Sequence, residues 1–262
     1  MSPVSPAIVA QKSVAQLPRW ALLLLCLAYV LPGFVGRQPW KNADIEAFGF
    51  MLSLARPLEG TSVSWLQPML AGQLEPSLSL LHTWLGAAAI RLAPVGWEAG
   101  AARLPFMAML VLTLLATWRG VFALARTREA QPVAFAFGGE ASPKDYARTL
   151  ADAGLLALIA CLGLARMSHE ITPLLAQLAW VSLVFYGVAV VVAHPGRSLL
   201  AFSLGLAGLT LSGAPSLALI LGLGSVLLCQ LDPAVRQRRV LWGLLLICVL
   251  SSALAQVMDV WR

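Results

Sequence analysis

Between Ser198 and Leu231 the chain runs for 34 residues without a charged side chain. Two other uncharged stretches, Ile171–Ala193 (23 residues) and Val240–Met258 (19), lie on either side of it. Runs of about 18 or more apolar residues mark bilayer-crossing helices, which satisfy their own backbone hydrogen bonds across the hydrocarbon. Composition agrees: 59% of the 262 residues are hydrophobic and 11% are charged, against about a quarter charged in a soluble domain. Too few charges remain to cover a water-facing surface of this size. The reading is an all-α polytopic membrane protein, which excludes a soluble enzyme, a disordered tail and a disulfide-stapled secreted domain.

About seven transmembrane helices are expected, over Trp20–Val35, Leu104–Ala125, Thr149–Ala165, Ile171–Ala193, Leu199–Leu211, Gly213–Leu231 and Val240–Met258. The region 199–231 is far longer than one bilayer requires at about 1.5 Å per residue. Ser212-Gly213-Ala214-Pro215 supplies a turn inside it, so two helices in a hairpin are expected. Arg119 and Asp152, near the ends of consecutive spans, can snorkel to one interface. The N-terminus is too long and too uncharged before its apolar stretch for a typical signal peptide, so Trp20–Val35 reads as a retained span. Cys26, Cys161, Cys229 and Cys248 lie in apolar segments without CxxC spacing and read as small buried hydrophobes.

Net charge is +6. The basic residues flank apolar segments, so they read as a topology signal and as contacts to membrane lipids, with no nucleic acid. The loop Asp232–Arg239 carries three arginines in eight residues, and the positive-inside rule puts it and the N-terminus in the cytoplasm. A single membrane domain, 1–262, then has a 67-residue outer loop, Gly36–Ala102, and a polar inner loop, Thr127–Arg148. The outer loop holds five of the twelve acids (Asp44, Glu46, Glu59, Glu75, Glu98) and four of the nine tryptophans (Trp40, Trp65, Trp84, Trp97). Within it, Leu78–Leu92 is apolar but short and interrupted by His82 and Arg91, as for a helix lying in the interface plane.

No GxGxxG after a strand, P-loop, HExxH or GxSxG is present. What remains is a set of ionisable residues at the outer face. Asp44, with Glu46 two residues on, stands just after the first span. A carboxylate there can act as general base or hold a metal that neutralises a phosphate; it can equally be a solvated loop acid or a helix N-cap. Arg166-Met167-Ser168-His169-Glu170-Ile171-Thr172 is the tight outer turn between two apolar spans. It can converge on Asp44 in a packed bundle, giving Arg166 for a phosphate and His169 or Glu170 for proton transfer, or be a plain hydrophilic turn. Arg56, Arg91 and Arg103 can bind phosphate or anchor at headgroups.

The outer loop carries Trp65-Leu66-Gln67-Pro68, Gly72, Pro76 and Trp84-Leu85-Gly86-Ala87, and Ala102-Arg103-Leu104-Pro105 opens the next span. Leu209-Thr210-Leu211-Ser212-Gly213-Ala214-Pro215 follows later. This ordered series resembles GT-C fold glycosyltransferases of the aminoarabinose lipid A transferase and protein O-mannosyltransferase group, with its WLxP, WLGA, ARLP and LTKGP-like motifs. The resemblance runs from about Arg19 to the end. It implies a seven-span GT-C-like core whose outer loop contains juxtamembrane helices, in a bacterial inner membrane with the active face periplasmic. It also implies transfer of a sugar from a polyprenyl-phosphate donor to a lipid or glycan acceptor. Asp44 takes the place of the family's first-loop acid, Arg166–Thr172 that of its second polar motif, and Arg103 that of the ARLP arginine, with Trp65 in the WLxP motif. The family's paired acids reduce here to Asp44 and Glu46, Glu170 replaces an aspartate expected near Leu174, and Ser212 replaces the lysine of LTKGP. The cofactor is left unknown, a divalent metal included. Full-length members continue beyond seven spans, which leads to the expectation of a second subunit supplying acceptor recognition. A non-catalytic scaffold and a lipid-linked-sugar transporter are the rival classes.

Overall fold

A computed structural model describes residues 8–14, 16–39, 42–57, 64–75, 79–232, 235 and 238–261. Ten α-helices account for most of these: α1 Arg19–Phe34, α2 Asn42–Ala55, α3 Leu80–Leu92, α4 Glu98–Ala125, α5 Pro143–Ile159, α6 Leu162–Met167, α7 Pro173–Ala189, α8 Pro195–Leu211, α9 Pro215–Leu231 and α10 Arg238–Val257. The only sheet among the described residues is a hairpin, β1 Met69–Leu70 and β2 Gln73–Leu74. Its two-residue turn, Ala71-Gly72, has positive φ at both positions, as a primed turn requires.

Several boundaries follow directly from local chemistry. Prolines open α5, α7, α8 and α9 at the first turn, where the missing N–H costs nothing. Between α8 and α9, Gly213 takes φ +75°, its N–H donates to Thr210 O, and Ala214 N–H donates to Leu209 O. That pair of bonds closes the end of α8 as a Schellman motif, which only a residue tolerant of left-handed backbone completes cheaply. The expected continuous span Thr149–Ala165 is instead broken at Ala160–Cys161, between α5 and α6. The break corrects two expectations. The span is shorter than predicted, and Cys161 is exposed rather than a buried hydrophobe.

Among the described residues two helices, α4 and α10, are long and apolar enough to cross a membrane, and α1, α7 and α9 are apolar but shorter. α7 lies at the centre, packed on α4 and on α8, and α10 covers α8 and α9. One hydrophobic cluster joins α1, α2, α3, α4 and the start of α7, with Met51, Ile90, Phe106, Leu110 and Leu175 fully buried. The second joins α7 to α8, α9 and α10 around Phe202, Leu206, Leu209 and Leu244. The outward faces of α1, α9 and α10 are also apolar: Leu23, Leu24, Ile220, Leu228, Leu246 and Val249 are exposed. Exposed apolar faces of this kind mark surfaces that meet a membrane or another protein.

Candidate functional site

Asp44 lies in the first turn of α2 yet is almost completely buried. Its oxygens look away from its own helix. Oδ1 accepts from the backbone N–H of Ile171 at 2.8 Å, and Oδ2 faces Arg103 Nη2 at 3.4 Å. Arg103 projects from the first third of α4 and is 3% exposed. The Arg37 guanidinium is close enough to act on Arg103 electrostatically. One carboxylate therefore ties α2 to α4 and to the turn that precedes α7. The 3.4 Å contact is long for a charge-assisted bond, and Arg103 Nε and Nη1 are buried without a hydrogen-bond partner. Unmet N–H groups on a buried cation are costly. An acceptor oxygen, above all an anionic one, would satisfy them.

The turn itself is anchored by His169. Its ring lies between Tyr29 and Phe34 of α1, with centroids 5.3 and 5.4 Å away. Nε2 meets the Tyr29 carbonyl at 2.9 Å. A carbonyl only accepts, so Nε2 carries a proton, while Nδ1 lies 3.2 Å from the Ser168 hydroxyl and 3.4 Å from the Ala165 carbonyl. Ser168 in turn meets the Tyr29 hydroxyl at 3.1 Å. Gly33 makes this approach feasible: a Cβ there would stand 1.8 Å from His169 Cδ2.

The structure thus gathers Asp44, Arg103, His169 and the buried Glu170 around one corner. Glu46 is not part of it. Two positions along a helix do not share a face, so Glu46 is exposed where Asp44 is buried. Arg56, Arg91 and Trp65 belong to a different region. Arg56 stands twelve residues from Asp44, about 18 Å along α2, and binds Glu98 at 3.3 Å and the Ala93 carbonyl at 3.1 Å. Arg91 lies over the Trp65 ring at 5.4 Å, and the Trp65 carbonyl accepts from Trp84 Nε1. The side chain of Arg166, with Trp40, Lys41, Glu59, Pro76 and Arg236, lies outside the described residues.

A second buried polar group escaped the sequence reading. At the start of α3, His82 Nδ1 lies 2.7 Å from both the Ser79 carbonyl and the Ser79 hydroxyl. Thr83 Oγ1 donates to Glu75 Oε2 at 2.9 Å, and Glu75 Oε1 is 3.6 Å from His82 Nε2. Burial pushes His82 down to about 4, with the bond to Ser79 opposing this. At neutral pH the ring is uncharged, and its contact with Glu75 is not an ion pair. Glu75 also lines a cavity of about 170 Å³ together with Leu66, Pro68 and the chain end of α10. The spacing of Glu75 and His82 in the sequence fits no motif, so nothing short of the fold marks them.

Among the described residues no three His, Cys, Asp or Glu side chains come together. Both Asp44 oxygens are engaged by protein donors, so the residues around it do not form a set that fits a divalent ion. No family model matches the chain, and no significantly similar curated protein or solved structure is found.

Proposed function

We propose that this chain is the core of a membrane glycosyltransferase that moves a sugar from a polyprenyl-phosphate carrier to a lipid or glycan acceptor. The observation that supports it is Arg103: buried, loosely paired to Asp44, with Nε and Nη1 lacking acceptors. The carrier phosphate accepts from those groups. As an acceptor hydroxyl attacks the anomeric carbon, the bond from that carbon to the phosphate oxygen breaks. Negative charge then grows on the leaving phosphate, where a preoriented arginine is most effective. Arg103 moving onto the phosphate releases Asp44 Oδ2 to take the hydroxyl proton, while the Ile171 N–H keeps the carboxylate in place through Oδ1.

The setting belongs to the same proposal. Seven of the helices (α1, α4, α5, α7, α8, α9 and α10) cross a bacterial inner membrane, with the N-terminus cytoplasmic and Asp44 at the periplasmic face. The outward leucines of α1, α9 and α10 face lipid in this arrangement, and α2 and α3 lie at the interface. A groove between spans takes the polyprenyl tail.

Mass spectrometry of envelope lipids and glycans tests the reading in wild-type, deletion and Asp44→Asn strains at matched protein level. A sugar-sized mass absent from both mutants is the expected result. A mass lost only in the deletion refutes catalysis by Asp44 and supports a scaffold role. That alternative has an observation of its own, since both Asp44 oxygens already bridge three elements of the fold.

A further inference from the structure

At the opposite end of the bundle, residues of α1, α4 and α5 line a second pocket of about 480 Å³. Trp118 in its wall is fifteen residues from Arg103 on α4, about 22 Å along the helix. The pocket is distinct from the Asp44 corner, and besides Gln16, Asp145 and Arg148 its lining has three parts. Leu22 and Leu23 of α1 and the stacked rings of Trp118 and Phe122, centroids 5.3 Å apart, make an apolar wall. Arg19 and Lys144 are exposed at the rim without a side-chain hydrogen bond to a described residue, and Lys144 acts electrostatically on the neighbouring Asp145. Asp152, 3% exposed, lines the interior.

Asp152 does not snorkel to the interface as the sequence suggested. Its Oδ1 accepts from the Trp118 indole N–H at 2.8 Å, whereas Oδ2 has no hydrogen-bond partner. The nearest cation, Arg148 Nε, stays 3.8 Å away. Arg148 cannot close that gap freely, because its other nitrogens hold Gln16 Oε1 at 3.0 Å and the Leu17 carbonyl at 2.9 Å. A buried carboxylate oxygen without a donor is expensive. The pocket therefore offers two exposed cations at its rim (Lys144 beside Asp145), a carboxylate oxygen inside that lacks a hydrogen-bond donor, and an apolar side wall.

We propose that this pocket holds the headgroup of an aminophospholipid drawn from the leaflet at that end of the bundle. Its phosphate sits between Arg19 and Lys144, and its primary ammonium donates to Asp152 Oδ2. An acyl chain runs along Leu22, Leu23 and the Trp118–Phe122 stack. A phosphate joined to an ammonium by a short ethylene link matches both signs of charge at once, which a purely anionic headgroup does not. The exposed Leu23, continuous with the outward stripe of α1, favours a lipid over a free amine phosphate. The inference rests on the membrane reading above and is independent of the transferase chemistry.

The test is native mass spectrometry of the full chain in mild detergent, reloaded with defined lipids in competition. Phosphatidylethanolamine should be retained about tenfold or more over phosphatidylcholine, whose quaternary nitrogen has no N–H, and over phosphatidylglycerol, a tenfold ratio being about 1.4 kcal/mol. Chainless glycerophosphoethanolamine should not compete. Asp152→Asn keeps an acceptor for Trp118 and should level ethanolamine with choline lipid, and Arg19→Gln/Lys144→Gln should weaken all three. Equal retention of the three lipids by wild type, or an undiminished preference in Asp152→Asn, overturns the site. Competition by the chainless compound overturns the lipid as its occupant. If Asp152→Asn does not fold, the wild-type competition and the rim double variant still decide. Failure to incorporate into phosphatidylcholine vesicles at all would instead reject the membrane reading.

Discussion

Gly33→Ala offers the sharpest test of how the Asp44 corner is held. The new methyl would meet His169 Cδ2 at 1.8 Å, where ordinary contact begins near 3.4 Å, so the ring must retreat by more than an ångström. Retreat breaks the 2.9 Å bond from Nε2 to the Tyr29 carbonyl and loosens the turn whose Ile171 N–H holds Asp44. Overpacking costs about 1–3 kcal/mol and the lost hydrogen bond about 0.5–1.5, so a destabilisation of about 2–4 kcal/mol is expected. His169→Ala removes the obstacle. In that background the same Gly33→Ala change should become neutral or stabilise by up to about 1 kcal/mol, because alanine is the better residue inside a helix. The difference between the two backgrounds amounts to a coupling energy of about 2–5 kcal/mol between the two positions, read from a double-mutant cycle of thermal or denaturant unfolding in detergent. Gly33→Ala costing the same with and without the imidazole would refute the contact.

Other consequences are equally accessible. Asp44→Leu strands the Arg103 charge and should cost about 3–5 kcal/mol, whereas Asp44→Leu/Arg103→Met should recover most of it; unfolding midpoints of both decide, and no recovery sinks the pairing. His82 is neutral in the fold down to about pH 4 but protonates near 6.5 when unfolded. Its contribution is complete above 6.5 and is lost as pH falls toward 4, by about 3 kcal/mol in all. Unfolding from pH 7.5 to 4.5 should show that slope in wild type, and its survival in His82→Gln would exclude His82 as the cause. Ser142 caps α5 by accepting from Asp145 N–H, so Ser142→Ala should cost about 1 kcal/mol. Hydrogen exchange in the first turn of α5 would reveal it, and unchanged protection would contradict the cap.

How much of this was legible in the chain varied by element. The break between α8 and α9 was plain, because Gly213 and Pro215 each carry their own backbone constraint. The break between α5 and α6 was not, since Ile159-Ala160-Cys161-Leu162 holds neither glycine nor proline and reads as one apolar run. Apolarity sets which solvent a segment prefers, while the end of its hydrogen-bond ladder is set by what it packs against. Within Gly36–Ala102, Leu78–Leu92 announced α3 to within two residues, but two arginines read there as phosphate binders or headgroup anchors, Arg56 and Arg91, lie away from Asp44, against Glu98 and Trp65.

Hydrophobic patterning alone pointed to an all-α chain with about seven apolar segments and an acid-rich, tryptophan-rich stretch over 36–102, whereas among the described residues two helices, α4 and α10, are long and apolar enough to cross a bilayer. It cannot dictate which charges meet. Asp44 pairs with Arg103 and with Ile171 across 59 and 127 residues of chain. Glu46, two residues from Asp44, is left facing outward by the pitch of α2. Local propensity acts over a few residues, whereas burying a carboxylate requires partners supplied by other helices. Tertiary packing therefore decided which acids became buried and paired, and which stayed on the surface.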